Sequence, residues 1–274
     1  MRKNIFCLQD RVYVITGASG LLGKMHADAI AAFGGIPILL DLNESALKAQ
    51  AEELMKNYSV PVSWYVLDIT DESEISLSCG SILSKYGKLD GLINNAANNP
   101  KVGDNSERNF SRLEAFSMED WCADISVGLT GAFLCCKHYG AAIASNPNGG
   151  AILNIASDLA LIAPDQRLYR QPHLEEHLQP VKPVTYSVVK SGLIGLTRYM
   201  ATYWPQQVRC NALCPGGVRG QQSDEFIKAV NNRIPLGRLA EPEEYQAAII
   251  FLLSDASIYA NGTILTIDGG RTVW

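Results

Sequence analysis

Short apolar runs alternate with stretches of helical period along nearly the whole chain. The runs at about 11–16 (RVYVIT), 36–41 (IPILLD), 61–67, 89–94 (LDGLIN), 150–156 (GAILNIA), 207–214 and 263–267 (TILTI) read as strands buried on both faces. Between them, segments at about 21–33, 43–57, 71–86, 117–145, 184–204 and 241–254 predict helices, with Asn43 and Asp71 as N-caps. This alternation predicts an α/β fold, a parallel sheet covered by helices on both faces. Right-handed crossovers then give a doubly wound, Rossmann-type sheet in the order 3-2-1-4-5-6, with a seventh strand at the edge. No repeat or low-complexity linker divides the pattern, so residues 1–274 are expected to form one domain. Two stretches break the rhythm. One is the polar segment 97–116; the other is 158–183, which carries Pro164, Pro172, Pro180 and Pro183. Both follow carboxyl ends of strands, where open α/β sheets bind ligands, and are expected to shape a substrate pocket.

Composition narrows the function classes. A hydrophobic share of 47% and a charged share of 19% fit a soluble globular protein with a large core. The net charge of -5 and the lack of a basic run argue against nucleic acid as a partner. No apolar run approaches the ~18–20 residues that span a bilayer, so no membrane partner is expected. Residues 1–10 are too short and polar for a signal peptide. The seven cysteines are odd in number and show no C-x-x-C spacing, which suggests reduced thiols in a cytoplasmic protein and no metal site.

Two motifs carry chemistry. Tyr186 and Lys190, four apart, share one helix face, where an ammonium can lower the pKa of a phenol and fit it for proton exchange with a carbonyl or alcohol oxygen. Far upstream, TGASGLLG (Thr16–Gly23) joins the first strand to a helix. There Gly17 permits the tight turn, Gly20 the approach of a pyrophosphate and Gly23 close helix packing, and the helix amino end faces the phosphates. Asp41 ends the second strand, where a carboxylate bonds the adenosine ribose hydroxyls and repels a 2′-phosphate; Leu42, not an arginine, follows it. NAD is therefore expected over NADP.

These residues, with Asp68-Ile69, Asn94 to Ala97, Ser157, Pro215-Gly216 and Ile267 to Gly270 in the same order, resemble the classical short-chain dehydrogenase/reductase family along nearly the whole chain. The resemblance implies that Tyr186 is the general acid/base. Lys190 lowers its pKa and holds the nicotinamide ribose, and Ser157 orients the substrate oxygen. It places Asp68 and Ile69 against the adenine and Asn95 and Ala96 near the cofactor ribose. Pro215, Gly216 and Val218 border the nicotinamide, and Ser19, Leu22 and Ala97 complete the cofactor site. It also implies a homo-oligomer, dimer or tetramer, joined through helices 117–145 and 184–204 and through Ile264 to Trp274. Phe133, Leu134, Cys136, Leu193, Leu196 and Tyr199 are the apolar positions in those helices.

Three departures follow from the same alignment of motifs. The glycine spacing is G-x-x-G-x-x-G, typical of the extended branch of epimerases and dehydratases. Gly128 replaces the asparagine that the family carries in VGLTGAF. Ser157 and Tyr186 stand 29 positions apart, far more than is usual. The inserted IAPDQRLYRQPHLEEHLQPVKPV supplies Gln166, Arg167, Arg170 and Lys182; arginines there suit a phosphate or carboxylate, or else are solvated charge balanced by Glu175 and Glu176. His173 to His177 spell H-x-x-E-H, read here as a surface turn and not a zinc site. The leading expectation is an NAD-dependent alcohol/ketone oxidoreductase. Residues 158–199 also resemble bacterial oxidoreductases of surface-carbohydrate and flagellin-glycan pathways, which implies a sugar or sugar-nucleotide substrate. The alternatives are an epimerase or dehydratase that retains NAD, disfavoured because the chain ends soon after Gly270, and a catalytically idle NAD-binding module.

Overall fold

The computed structural model describes residues 4–98 and 111–274. Most of the polar segment 97–116 therefore lies outside the described residues. Seven strands form one sheet: β1 (Val12–Thr16), β2 (Ile36–Asp41), β3 (Ser63–Val66), β4 (Gly91–Asn94), β5 (Gly150–Ile155), β6 (Val208–Pro215) and β7 (Ile264–Ile267). Their order is β3-β2-β1-β4-β5-β6-β7 and every pairing is parallel, as the alternating pattern predicts. Alternate residues of β1 serve opposite faces. Tyr13 and Ile15 pack with Ile30 of α1 (Leu21–Ala32) and Ile249 of α9 (Gln246–Leu253). Val12 and Val14 pack with Ile75 and Ile82 of α3 (Glu72–Tyr86) and with Tyr139. Each such fully buried aliphatic side chain contributes roughly 1.5–3 kcal/mol of burial free energy, so the two faces together hold the sheet between its helices.

The helix ends follow local rules. Asn43 accepts from Ala46 N at the start of α2 (Glu44–Tyr58), and Asp71 accepts from Ser73 N and Glu74 N at the start of α3. The expected helix 117–145 is α4 (Met118–Ile125), α5 (Gly131–Cys135) and α6 (Ala141–Ala144), joined end to end by π turns at Ser126–Thr130 and Cys136–Gly140. α7 (Val184–Tyr203) follows the inserted segment. One helix was not expected from the pattern: α8 (Asp224–Asn231), whose short amphipathic stretch packs Val230 against Leu168 of the insertion. The segment 241–254 divides into a 3-10 turn (Pro242–Tyr245) and α9. Five cysteines are buried, Cys7 is half-buried and Cys122 is exposed.

His26, on α1 beneath the glycine turn, is fully buried, and neither ring nitrogen has a well-aligned hydrogen-bond partner. Burial pulls its pKa down to about 4, opposed only in part by the nearby Asn95 side chain. The folded value lies below the ordinary 6.5, so between these pH values the unfolded chain binds more protons and stability falls as pH drops. His26→Leu is expected to lose less of its denaturation midpoint between pH 7 and pH 5 than the parent. Equal losses in the two proteins would clear His26 of the effect.

Candidate active site

The parallel register brings the carboxyl ends of β1, β2, β4 and β5 to one edge of the sheet. A groove of about 460 Å³ runs along it, lined by Gly17, Ser19, Gly20, Asp41, Asp68 and Asn95 among others. Leu22, Leu42, Ile69, Ala96 and Ala97 also line it; of the expected cofactor set, Gly23, Tyr186, Lys190 and the β6 members lie outside this lining. Gly17 needs its φ of +62°, and a Cβ at Gly23 would fall 2.2 Å from Gly17 O, which ties the turn to the helix at van der Waals limits. At Gly20 a Cβ would meet only Gly17 O, at 3.3 Å, and the residue caps α1 with backbone alone. The first-turn amides of α1 thus face the groove, an arrangement that suits a diphosphate. Asp41 accepts from Ser19 N at 3.0 Å through one oxygen and from Asn43 N at 3.2 Å through the other, so its carboxylate is held at the groove wall. Both amide hydrogens of Asn95 go to Thr16 O and Gly17 O, at 3.0 Å each, locking the glycine turn to the end of β4. These features fit a nicotinamide dinucleotide. Pro215 ends β6 and Gly216 and Val218 follow it, all outside the groove lining, with Val218 bridged to Ala240.

Ser157 follows β5, and Tyr186 and Lys190 occupy the first two turns of α7. The Ser157 side chain is near enough to Tyr186 to act on its pKa. Lys190 is buried and donates to Ile155 O at 2.8 Å; its Nζ lies 5.9 Å from the Tyr186 ring centroid. The three side chains come together, but the expected electrostatics do not hold. Burial raises the Tyr186 pKa above 10.0, only partly offset by the Ser157 side chain, and Lys190 is turned to the strand carbonyl instead of the phenol. Lys190 itself is lowered to about 8, by burial first and the nearby Lys182 ammonium second.

Gly128 has a steric reason. A Cβ there would stand 2.5 Å from Val189 Cγ1 of α7, so no asparagine fits without moving Val189. One turn earlier on α4, the buried carboxylate of Asp124 accepts from Thr185 Oγ1 and, at 2.8 Å, from Asn98 Nδ2. Asp124, Asn98 and Thr185 line a cavity of about 10 Å³ with Tyr186 and Lys190, room for a single water centre. The helical spacing of Asp124 and Gly128 was available in the sequence; the wall they share with Tyr186 was not.

Comparison with known proteins settles the family. Residues 11–168 match the short chain dehydrogenase family, and residues 175–272 match the family described as enoyl-(acyl carrier protein) reductase. The chain belongs to the short-chain dehydrogenase family. It is 30% identical to the D-threitol dehydrogenase of Mycolicibacterium smegmatis, over 98% of this chain and 95% of the relative. It is 29% identical to the NADP-dependent mannitol dehydrogenase of Hypocrea jecorina, over 98% and 95% respectively. A short-chain type dehydrogenase/reductase from Mycobacterium marinum superposes with a TM-score of 0.85 at 25% identity, covering 99% of this chain and 98% of that one.

In the segment between Ser157 and Tyr186 of this short-chain dehydrogenase, the described contacts agree with charge balanced within the loop, one of the two readings the sequence left open. Arg167 is exposed and grips Asp165 at 2.8 and 2.9 Å; Arg170 is exposed and pairs with Glu176. Among the described residues lining the groove and the small cavity, neither appears. Their guanidinium groups are satisfied within their own loop, and Gln166 likewise closes it by accepting from Lys182 N at 2.8 Å. The insertion's residue at the Tyr186 phenol is Lys182, whose Nζ sits 3.8 Å from the Tyr186 ring centroid and whose pKa burial lowers to about 8. H-x-x-E-H forms only a 3-10 turn over Glu176–Leu178, so His173 and His177 do not share a helix face. Two groups at the site were missed: Asp158, which takes the Ser157 hydroxyl at 2.8 Å, and Arg271, 2.9 Å from Asp158. No local signal links residues so far apart in the chain. For this short-chain dehydrogenase, Gly128→Asn is expected to lower stability by roughly 1–3 kcal/mol through overpacking. Val189→Ala in the same chain should return most of that loss; chemical denaturation of the single and double variants checks it.

Proposed function

We propose that the chain is an NAD-dependent oxidoreductase that interconverts a secondary alcohol and a ketone on a sugar, sugar alcohol or sugar nucleotide. The observation that carries the reading is the Tyr186 phenol, near Ser157 and with buried Lys190 Nζ 5.9 Å from its ring, by the end of the groove. When bound, the dinucleotide supplies or accepts the hydride. The protein's own work is placement and proton transfer. Tyr186 gives a proton to the ketone oxygen or takes one from the alcohol, and Ser157 fixes that oxygen beside it. Buried Lys190 places a positive charge behind the phenol. The α1 amino end and the glycine turn hold the diphosphate, Asp68 and Ile69 flank the adenine, and Pro215, Gly216 and Val218 close the nicotinamide side.

Asp41 supports NAD, because its carboxylate opposes a 2′-phosphate and exposed Leu42 offers no cation. The Hypocrea jecorina relative is named for NADP, so family membership leaves the choice to these residues. The polyol substrates that name the two relatives support a hydroxylated substrate. A surface-glycan role rests on the insertion and its surroundings alone, and a cytoplasmic setting on composition. The defining experiment measures binding of both dinucleotides and turnover over a panel of polyols, aldonates and nucleotide-linked sugars. NAD should bind well ahead of NADP, Asp41→Ala should narrow that gap at least about tenfold, and Tyr186→Phe should lower turnover at least ~10²-fold with NAD binding kept. Equal affinity for the two dinucleotides would remove the NAD assignment, and wild-type turnover by Tyr186→Phe would move the chemistry elsewhere.

Assembly belongs to the same proposal. Leu134, Cys136 and Leu193 are buried in the chain's own core and Leu196 is half-buried, but Phe133 on α5 and Tyr199 on α7 are 51% and 61% exposed. Gly195 lies one turn before Tyr199 with open space at its Cβ, and Val273 and Trp274 are exposed at the end of the chain. Such apolar surface suits a contact between copies. A dimer or tetramer is expected by light scattering at micromolar concentration, and a monomer there would overturn it.

A further inference from the structure

The chain's last turn reaches into the site. Gly270 takes φ +90°, and Asp268 accepts from Gly270 N and Thr272 N at 2.9 and 2.8 Å, which sets the 3-10 turn Arg271–Val273. Trp274 Nε1 adds a bond to Arg233 O at 3.1 Å, and Arg233 in turn holds Asp165 of the insertion at 2.6 Å. From this anchored turn the Arg271 side chain, 11% exposed, runs inward to Asp158, 3% exposed, at 2.9 Å. The other Asp158 oxygen accepts from Ser157 Oγ and Leu159 N, both at 2.8 Å. Both oxygens of this carboxylate are thus engaged, by the backbone of its own turn, by Ser157 and by Arg271.

We propose that Arg271 is a positioning residue for Ser157 and Tyr186: it holds Asp158 in the orientation that takes the Ser157 proton, and it cancels that carboxylate's charge beside the phenol. The reasoning is a proton count. Ser157 has one hydroxyl hydrogen, and it points to Asp158. Toward Tyr186 the serine oxygen can therefore present only a lone pair, since Leu159 N, at 3.2 Å, takes another. For the phenol to ionise, Ser157 must turn its hydrogen from Asp158 to Tyr186. A carboxylate paired with a guanidinium is a weaker acceptor than a bare one, so Arg271 eases that turn. Left without Arg271, Asp158 would be a buried charge that has lost its directly bonded counter-ion, with Lys182 as the other cation acting on it, a placement with a penalty. The other groups facing the phenol are Lys182 and Lys190 on its ring and Tyr169 from the insertion. Asp158 and Arg271 act on its ionisation in opposite senses, the first raising and the second lowering its pKa.

The inference rests on Tyr186 as the proton-transfer group, but its test reads the phenol directly and needs no substrate. Full-length protein carrying [¹³Cζ]tyrosine would be titrated by NMR, with the Tyr186 resonance assigned by its loss in Tyr186→Phe. Arg271→Met is expected to move the midpoint up by about one pH unit, or to cut the phenolate fraction about tenfold at any fixed pH below it. Arg271→Lys should stay near the parent, and Asp158→Asn/Arg271→Met should return toward it, which a merely structural role would not produce. Parent-like titration of Arg271→Met, or a double variant that stays displaced, overturns the proposal. If Arg271→Met does not fold, Asp158→Asn is read alone; its midpoint should lie below the parent's, and an unchanged midpoint overturns the proposal. Failure of the parent to turn over any alcohol would count against the proposed function and leave this result standing.

Discussion

The depth at which α7 lies on the sheet governs everything chemical in this protein, and buried polar groups set that depth. Asn94 Nδ2 donates to Asn154 Oδ1 and Asn154 Nδ2 to Thr197 Oγ1, each at 2.8 Å, and Thr197 passes its proton to Leu193 O, also at 2.8 Å. One turn and more toward the helix start, Lys190 reaches Ile155 O. A slide of α7 by one turn, ~5.4 Å, would break the two bonds that join helix to sheet, Asn154 Nδ2 to Thr197 and Lys190 Nζ to Ile155 O, and leave those donors in the core, where an unpaired polar group costs about 1–3 kcal/mol each. Tyr186, two turns in front of Leu193, is therefore fixed relative to β5, and Ser157 is fixed because it directly follows that strand.

The site built on this frame is crowded with charge that water does not screen. Lys182, Lys190 and Arg271 converge on the phenol from three different segments, against Asp158 and Asp124. Burial works on each group separately. It raises the phenol from 10.0 and lowers both lysines from 10.5 to about 8, so the protein's own fold sets phenol and ammonium further apart in acid strength than free side chains would be. The pairs within the insertion, Arg167 with Asp165 and Arg170 with Glu176, are exposed and contribute little by comparison. Their function is local, keeping the loop closed on itself while Arg233 and Leu168 fasten it to α8.

Val189 fills the space that an asparagine at 128 would need, and Asp124, one turn back from Gly128, brings a carboxylate to the wall of the small cavity that Val189 also lines.

The chain by itself determined the elements and their order. Apolar runs such as VYVIT and IPILLD are too uniformly buried to be anything but inner strands of a parallel sheet, and caps at Asn43 and Asp71 mark helix starts through backbone amides that lie within four residues. Gly17, Gly23, Asp41, Tyr186 and Lys190 were equally legible, because turn geometry and helical periodicity are local properties. Only the tertiary structure decided the electrostatics. That Arg167 and Arg170 are spent on their own loop, that Lys190 turns to Ile155 O, and that Arg271 answers Asp158 across 113 positions depends on which groups share a space from which water is excluded. Charge pairing in such a space is set by distance and burial, and neither is written in sequence spacing.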